Sequence, residues 1–205
     1  GNVSFYNQTK EVGIKPTPSI GGVGLIKNYA QMVTMDFKRI SNLVLVIGKT
    51  EGHLDQSLFA RSLLDEKNGP PPEINLFNEK NNGETVLQLI KNNYVKSAHD
   101  VSLGGILTAI SKMCIKGNKG IELNKQQYSM SDIEYFFSED QGRYIIEINP
   151  SDFKEVAKIL EKNSVHFEEL GKIIDKHVII NKKTKVTIDE LKTYNSNWLN
   201  NYMSS

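Results

Sequence analysis

Leu43-Val44-Leu45-Val46-Ile47, closed by Gly48, is the stretch on which the fold turns. A half-solvated strand alternates polar and apolar residues. This run is continuously β-branched and aliphatic, so it predicts a strand covered on both faces, as in a sheet with helices packed on each side. Downstream, a helix is expected over about Gln56 to Leu64, with Asp55 as N-cap and Leu58, Phe59, Leu63 and Leu64 at helical spacing. Gly69-Pro70-Pro71-Pro72 then forces an extended loop.

Further along, Glu84 to Asn92 carries Val86, Leu87, Leu89 and Ile90 and predicts a second helix. Lys96 to His99 leads into Gly104-Gly105 and a third helix, whose Ile106, Leu107, Ile110, Met113 and Cys114 form a core-facing stripe. Arg143 to Ile148 is strand-like. Asn149-Pro150-Ser151-Asp152 then starts a helix, with Asn as cap, Pro at the first helical position and an acid in the first turn. Strands are expected near Phe167 and over Val178 to Ile180. Thr187-Ile188-Asp189-Glu190 is a capping box that opens a last helix toward Trp198 and Tyr202. Strands alternating with helices give an α/β class with a mixed sheet and packed helices over residues 41–205. Residues 1–40 are rich in turns and too short to bury a core alone, so they read as a tail of something preceding.

Composition narrows the function classes. The formal net charge over 205 residues is +1, and arginine occurs only at Arg39, Arg61 and Arg143. No bulk field or guanidinium surface favours nucleic acid. The single cysteine, Cys114, excludes an intramolecular disulfide, and its place on an apolar helical face reads as core. No apolar run reaches the roughly 20 residues that span a bilayer, and cytoplasm is the expected location. His166 and His177 lack metal-ligand spacing with each other or with Cys114.

The candidate sites are a set of turns. Gly1-Asn2-Val3-Ser4 offers close backbone approach, an amide oxygen and a hydroxyl, a combination suited to phosphate and metal, although the same residues also make an ordinary polar turn. Ser102, Gly104 and Gly105 at a helix start form a candidate anion-binding turn; the plainer reading is a strand-to-helix turn capped by Asp100 or Ser102. Glu139-Asp140-Gln141-Gly142-Arg143 reads first as an arginine–carboxylate brace. No residue presents itself as a catalytic nucleophile or base.

Taken together, Gly1-Asn2-Val3-Ser4, Pro16-Thr17-Pro18 running into Ile20-Gly21-Gly22-Val23-Gly24-Leu25, Gly52-His53-Leu54 with Gln56-Ser57, Gly69-Pro70-Pro71-Pro72, Ala98 to Gly105 and Phe136 to Tyr144 resemble the phosphoribosylformylglycinamidine synthase family. The resemblance is to the C-terminal portion of the synthetase subunit and runs in order over essentially the whole chain. It implies a C-terminal α/β domain of the aminoimidazole ribonucleotide synthetase-like superfamily, preceded in residues 1–40 by the end of a nucleotide-binding domain.

The activity the resemblance implies is ATP-dependent conversion of formylglycinamide ribonucleotide, with ammonia from a glutaminase subunit or domain, to the amidine in purine synthesis. ATP activates the amide oxygen as an iminophosphate and ammonia displaces phosphate. Residue by residue, the resemblance assigns Gly1 to ATP, Asn2 to Mg²⁺ and Ser4 to the ribonucleotide. Asp is usual in the family where this chain has Leu103, and Gly where it has Asp55. On this reading the chain alone is inactive, and a homodimer driven by truncation is an expected by-product. A sister ATP-dependent synthetase of the same two-domain plan and a non-catalytic interaction module are the alternatives.

Overall fold

The computed structural model describes residues 7–14, 21–66, 68–124 and 129–204. They fall into two compact units, divided between Met32 and Val33. In the first, β1 (Asn7–Thr9) pairs antiparallel with β2 (Val12–Ile14), and a 3-10 turn at Tyr29–Gln31 is capped by the Asn28 side chain, which accepts from the Ala30 N–H at 3.0 Å. Val23, Leu25 and Ile26 are exposed.

The second unit is built on a seven-stranded sheet. Its strands are β3 (Leu43–Ile47), β4 (Val95–Asp100), β5 (Gly120–Leu123), β6 (Tyr144–Ile148), β7 (Phe167–Ile174), β8 (His177–Ile180) and β9 (Thr184–Thr187), in the order β4-β6-β3-β7-β5-β8-β9. Every pairing is antiparallel except β5 with β8, so the sheet is mixed. The helices are α1 (Leu58–Leu63), α2 (Leu76–Lys91), α3 (Gly105–Gly117), α4 (Asp132–Phe137), α5 (Phe153–Lys162) and α6 (Ile188–Ser204).

Strand β3 shows why its sequence is apolar throughout. Val44 and Val46 face a core containing Ile110, Met113 and Cys114 of α3 and Tyr135 and Phe136 of α4, whereas Leu45 and Ile47 face one containing Val86 and Leu89 of α2 and Val156 and Leu160 of α5. Successive side chains point to opposite faces, and both faces are covered. The unit begins before the boundary drawn at residue 40: Phe37 is 1% exposed within the first of these cores, and Thr34 bridges Ser97 of β4. Among the described residues no helix is long and apolar enough to cross a membrane.

Several helix boundaries differ from expectation. α1 is capped by Ser57, whose hydroxyl accepts from the Ala60 N–H at 3.1 Å, and not by Asp55. Gln56 has a φ of +61°, which keeps the helix from starting earlier. α2 begins at Leu76 behind an Asn75 cap, well before Glu84. After Leu76 and Phe77 its first half is polar and includes Gly83, where a Cβ would lie 3.1 Å from the Tyr144 hydroxyl. Small size there lets the phenol lie against the helix, at the expense of the helix signal in the sequence. Asn149 and Pro150 do start a helical segment, a 3-10 turn over Pro150–Asp152 that runs into α5. The Thr187 box is formed too, with Glu190 accepting from the Thr187 N–H at 2.8 Å and Thr187 Oγ1 accepting from the Glu190 N–H at 3.1 Å.

Candidate functional site

The turn between β4 and α3 is the centre of the site. Gly104 takes a left-handed φ of +84° as the N-cap, and Gly105 follows at +70°. A Cβ at Gly105 would meet the backbone carbonyls of Phe136 and Ser138, so only glycine lets α4's end lie against the start of α3. Neither Asp100 nor Ser102 caps the helix with its side chain; α3 has no side-chain cap. Instead the Ser102 carbonyl accepts from the Gly105 N–H at 3.0 Å, and a Glu139 oxygen accepts from the Gly104 N–H at 2.7 Å. The same Glu139 oxygen accepts from the Leu58 N–H, also at 2.7 Å, at the start of α1. One carboxylate thus supplies negative charge to the N-terminal ends of two helices, where the peptide dipoles favour it. An anion entering at Gly104 would compete with Glu139 for that N–H.

Asp140 continues the arrangement. Its Oδ2 accepts from the N–H groups of Glu51 and Gly52 at 3.0 and 3.2 Å, and its Oδ1 from that of His53 at 3.1 Å. The Arg143 guanidinium lies 3.7 Å from Asp140 Oδ2. Arg143 is 1% exposed and donates Nε to the Asp140 carbonyl, Nη1 to Thr50 Oγ1 and Nη2 to the Ser138 carbonyl at 3.2, 3.0 and 2.7 Å. Burial pushes its pKa down, and the charges of Asp140, Glu168 and Glu139 oppose that shift. Here the brace expected within Glu139 to Arg143 is present, and it also holds the loop from Glu51 to His53.

Four of the sequence strings therefore converge. His53 Nε2 lies 3.0 Å from the Pro70 carbonyl, and Gln56 donates to the Gly69 carbonyl at 3.1 Å, so the glycine–proline loop closes over the residues that Asp140 holds. Beside them is a cleft of about 700 Å³ whose lining includes Glu51, Asp55, Glu79, Glu134 and Asp140. A second cleft of about 330 Å³ is lined by Ser102, Leu103, Glu139, Gln141, Arg143 and Tyr144. Leu103 is 58% exposed at the position where an acid was expected from the family pattern. Gly1, Asn2 and Ser4, and the Pro16-Thr17-Pro18 string, lie outside the described residues.

The remaining candidates separate cleanly. Asp100 Oδ1 is 3.0 Å from His99 Nδ1, and the buried Nε2 of the same ring has no partner among the described residues. Cys114 is fully buried, and burial pushes its thiol pKa far up, which makes it inert as a nucleophile. Sequence reading missed Glu168, which is 6% exposed, accepts from the Tyr135 hydroxyl at 2.8 Å and lies 2.9 Å from His166 Nε2. The alternation Phe167-Glu168-Glu169-Leu170 gives no sign of which acid turns inward. Among the described residues there is no group of three His, Cys, Asp or Glu side chains that could hold a metal ion.

Comparison with known proteins adds a family and a fold. Residues 40–182 match the family described as AIR synthase related protein, C-terminal domain. A protein of Pelagibacter ubique, phosphoribosylformylglycinamidine synthase subunit PurL, is 67% identical over all 205 residues, and this chain spans 28% of its length. Two Thermotoga maritima PurL structures share the fold over 80% of this chain. One, complexed with FGAR, has a TM-score of 0.66 at 22% identity and is covered over 30% of its length; the other, complexed with ATP, has 0.62 at 19% and is covered over 27%.

Proposed function

This chain belongs to the AIR synthase related proteins, whose C-terminal domain it carries, and from that premise we propose that it forms the C-terminal α/β part of a phosphoribosylformylglycinamidine synthase. The observation that carries the proposal is the 67% identity to a PurL subunit along the entire chain, with no stretch left unmatched. The whole enzyme converts formylglycinamide ribonucleotide, ATP and glutamine-derived ammonia to the amidine, in the cytoplasm, with a glutaminase subunit or domain as partner. The structural relatives that bind ATP and FGAR support that choice of ligands.

Within this reading Gly1 lies against ATP, Asn2 supplies a neutral oxygen to Mg²⁺, and Ser4 bonds the ribonucleotide. Mg²⁺ and ATP supply charge neutralisation and phosphoryl chemistry when bound. The chain's own described residues act by position: Glu139 and Asp140 hold the loop from Glu51 to Leu58 against the start of α3. No side chain of this part serves as nucleophile, and the 205 residues alone are inactive.

The test is a graft. The matched segment of the Pelagibacter PurL is replaced by these 205 residues, and amidine formation is measured with FGAR, Mg-ATP and ammonia. Activity within about tenfold of the parent is expected, since a misplacement costing 1.4 kcal/mol at the transition state accounts for that factor. A soluble, folded graft that forms no amidine sinks the proposal. Asn2→Ala and Ser4→Ala in the active graft should each depress turnover without lowering the melting temperature.

A further inference from the structure

We infer that the second half of α6 is a docking surface for the remainder of a subunit of the PurL relatives' length, an inference that rests on the functional reading above. In the first turns of α6, Ile188 is 3% exposed and Leu191 packs against the core that holds Met113 and Cys114. The apolar stripe then continues at helical spacing into Trp198 and Leu199, but among the described residues the core does not follow it there. Tyr194, Trp198, Leu199 and Met203 are 78, 62, 51 and 75% exposed. The Trp198 and Tyr202 rings pack at a tilt of 49° with centroids 6.2 Å apart, which gives the stripe a preformed aromatic ridge.

Composition sharpens the point. From Thr193 to Ser204 no residue carries a charge, and the polar positions are filled by Asn, Ser and Thr. Solvated helix faces are ordinarily laced with Lys and Glu, whereas Tyr, Trp and Met without charge is the make-up of an interface centre. The absence of Lys and Arg disfavours a phosphate-bearing or anionic lipid partner. A wholly neutral, aromatic ridge fits an apolar protein surface.

Length identifies which one. This chain accounts for 28% of the length of its 67% identical relative, so most of such a subunit lies outside the matched segment. A neighbour tethered in the same polypeptide is present at high effective concentration, and a modest apolar patch then suffices for docking. The helix that closes the sheet's core with its first turns closes an interdomain contact with its last.

Photo-crosslinking in the grafted PurL tests this. A benzophenone side chain is placed at Tyr194 or at Met203, at the two margins of the ridge, and the products are mapped by mass spectrometry. The expected product is intramolecular, joining residues 193–204 to a peptide outside the matched segment at the mass of one subunit. Crosslinks between two copies, or none at either position in a graft that still makes amidine, overturn the inference. A graft that crosslinks internally but makes no amidine counts for the surface and against the function. As a second readout, amide exchange over residues 195–202 should slow by at least about tenfold in the graft relative to the 205-residue chain; equal exchange in the two also overturns it.

Discussion

Asp140 and Glu147 are both buried carboxylates on the same stretch of chain, and they are held in different ways. Glu147, in β6, is 0% exposed and has only neutral donors: the N–H groups of Lys38 and Arg39, the Asn42 amide and the Ser97 hydroxyl, at 2.8, 3.0, 2.7 and 2.8 Å. Asp140, in the turn before β6, is 5% exposed and has three loop N–H groups together with a guanidinium. The first fastens the entry segment and the edge strand β4 to the sheet. The second shapes a loop at the rim of a cleft. A buried charge with dipoles converging on it from several segments is a structural rivet, whereas a charge balanced by an arginine beside a cavity positions a site.

The sharpest break in that comparison is a pair of truncations. Removing residues 1–40 deletes Phe37, worth roughly 3–5 kcal/mol as a buried aromatic, and also two of the four donors to Glu147. Against a total stability of about 5–15 kcal/mol, the α/β unit should unfold or precipitate. Removing residues 1–32 spares all of these groups, because the compact unit begins at Val33. Its urea midpoint should match that of the parent. Equal stability of the two truncated proteins would show that Glu147 does not depend on the entry segment.

Glu147→Gln comes next. The amide's NH₂ must face at least one of the four donors, leaving them unpaired in the interior, at a cost of about 2–4 kcal/mol. Urea unfolding with an unchanged slope should register it, together with faster amide exchange at Lys38 and Arg39. A loss below about 1 kcal/mol would mean that shape rather than charge fastens the segment.

These two centres also mark what could be read from the sequence. β3 was legible because burial on both faces leaves an unbroken apolar run, and the Thr187 box because its two residues are local. The brace was legible because Asp140 and Arg143 are three apart. Glu147 was not, since its donors lie about a hundred positions upstream or on another strand and none of them is of an unusual type. The start of α2 was hidden by Asn78, Asn81, Asn82 and Gly83; two of these are committed to tertiary partners, Asn81 donating to the Asn163 carbonyl and Asn82 to that of Gly142. α4 was missed although Ser131 and Glu134 form a capping box, because the helix is only six residues long.

Asp140→Asn should cost less than the change at Glu147, roughly 1–2 kcal/mol, because the loop it holds lies nearer solvent and can rehydrate. Its signature is local: faster amide exchange at Glu51, Gly52 and His53, with Lys38 and Arg39 unchanged. In the active graft, a KM for FGAR that rises more than turnover falls would fit loss of loop position. Exchange that accelerates equally in both regions would mean that the two carboxylates belong to one cooperative unit, and the contrast between them would collapse.

The smallest effect belongs to Tyr144, which lies between the two carboxylates in sequence. Burial raises its phenol pKa above the ordinary 10.0, and the nearby charges of Glu79 and Asp100 raise it further. The folded protein therefore holds that proton more tightly than the unfolded chain does. Stability from this source is fully present below pH 10 and is lost as the pH rises from there through the folded pKa, because the unfolded chain ionises first. Tyr144→Phe removes the group, so the difference in stability between parent and variant should be flat up to about pH 10 and should shift in favour of the variant above it. Chemical denaturation at a series of pH values from 8 to about 11 reads this directly, and lysine titration cancels in the difference. A difference that stays constant across the whole range would show that the phenol is as well solvated as in the unfolded chain. In that case the acidic wall formed by Glu79 and Asp100 would not act on β6, and Glu147 would be the one ionisable group of that strand with structural consequence.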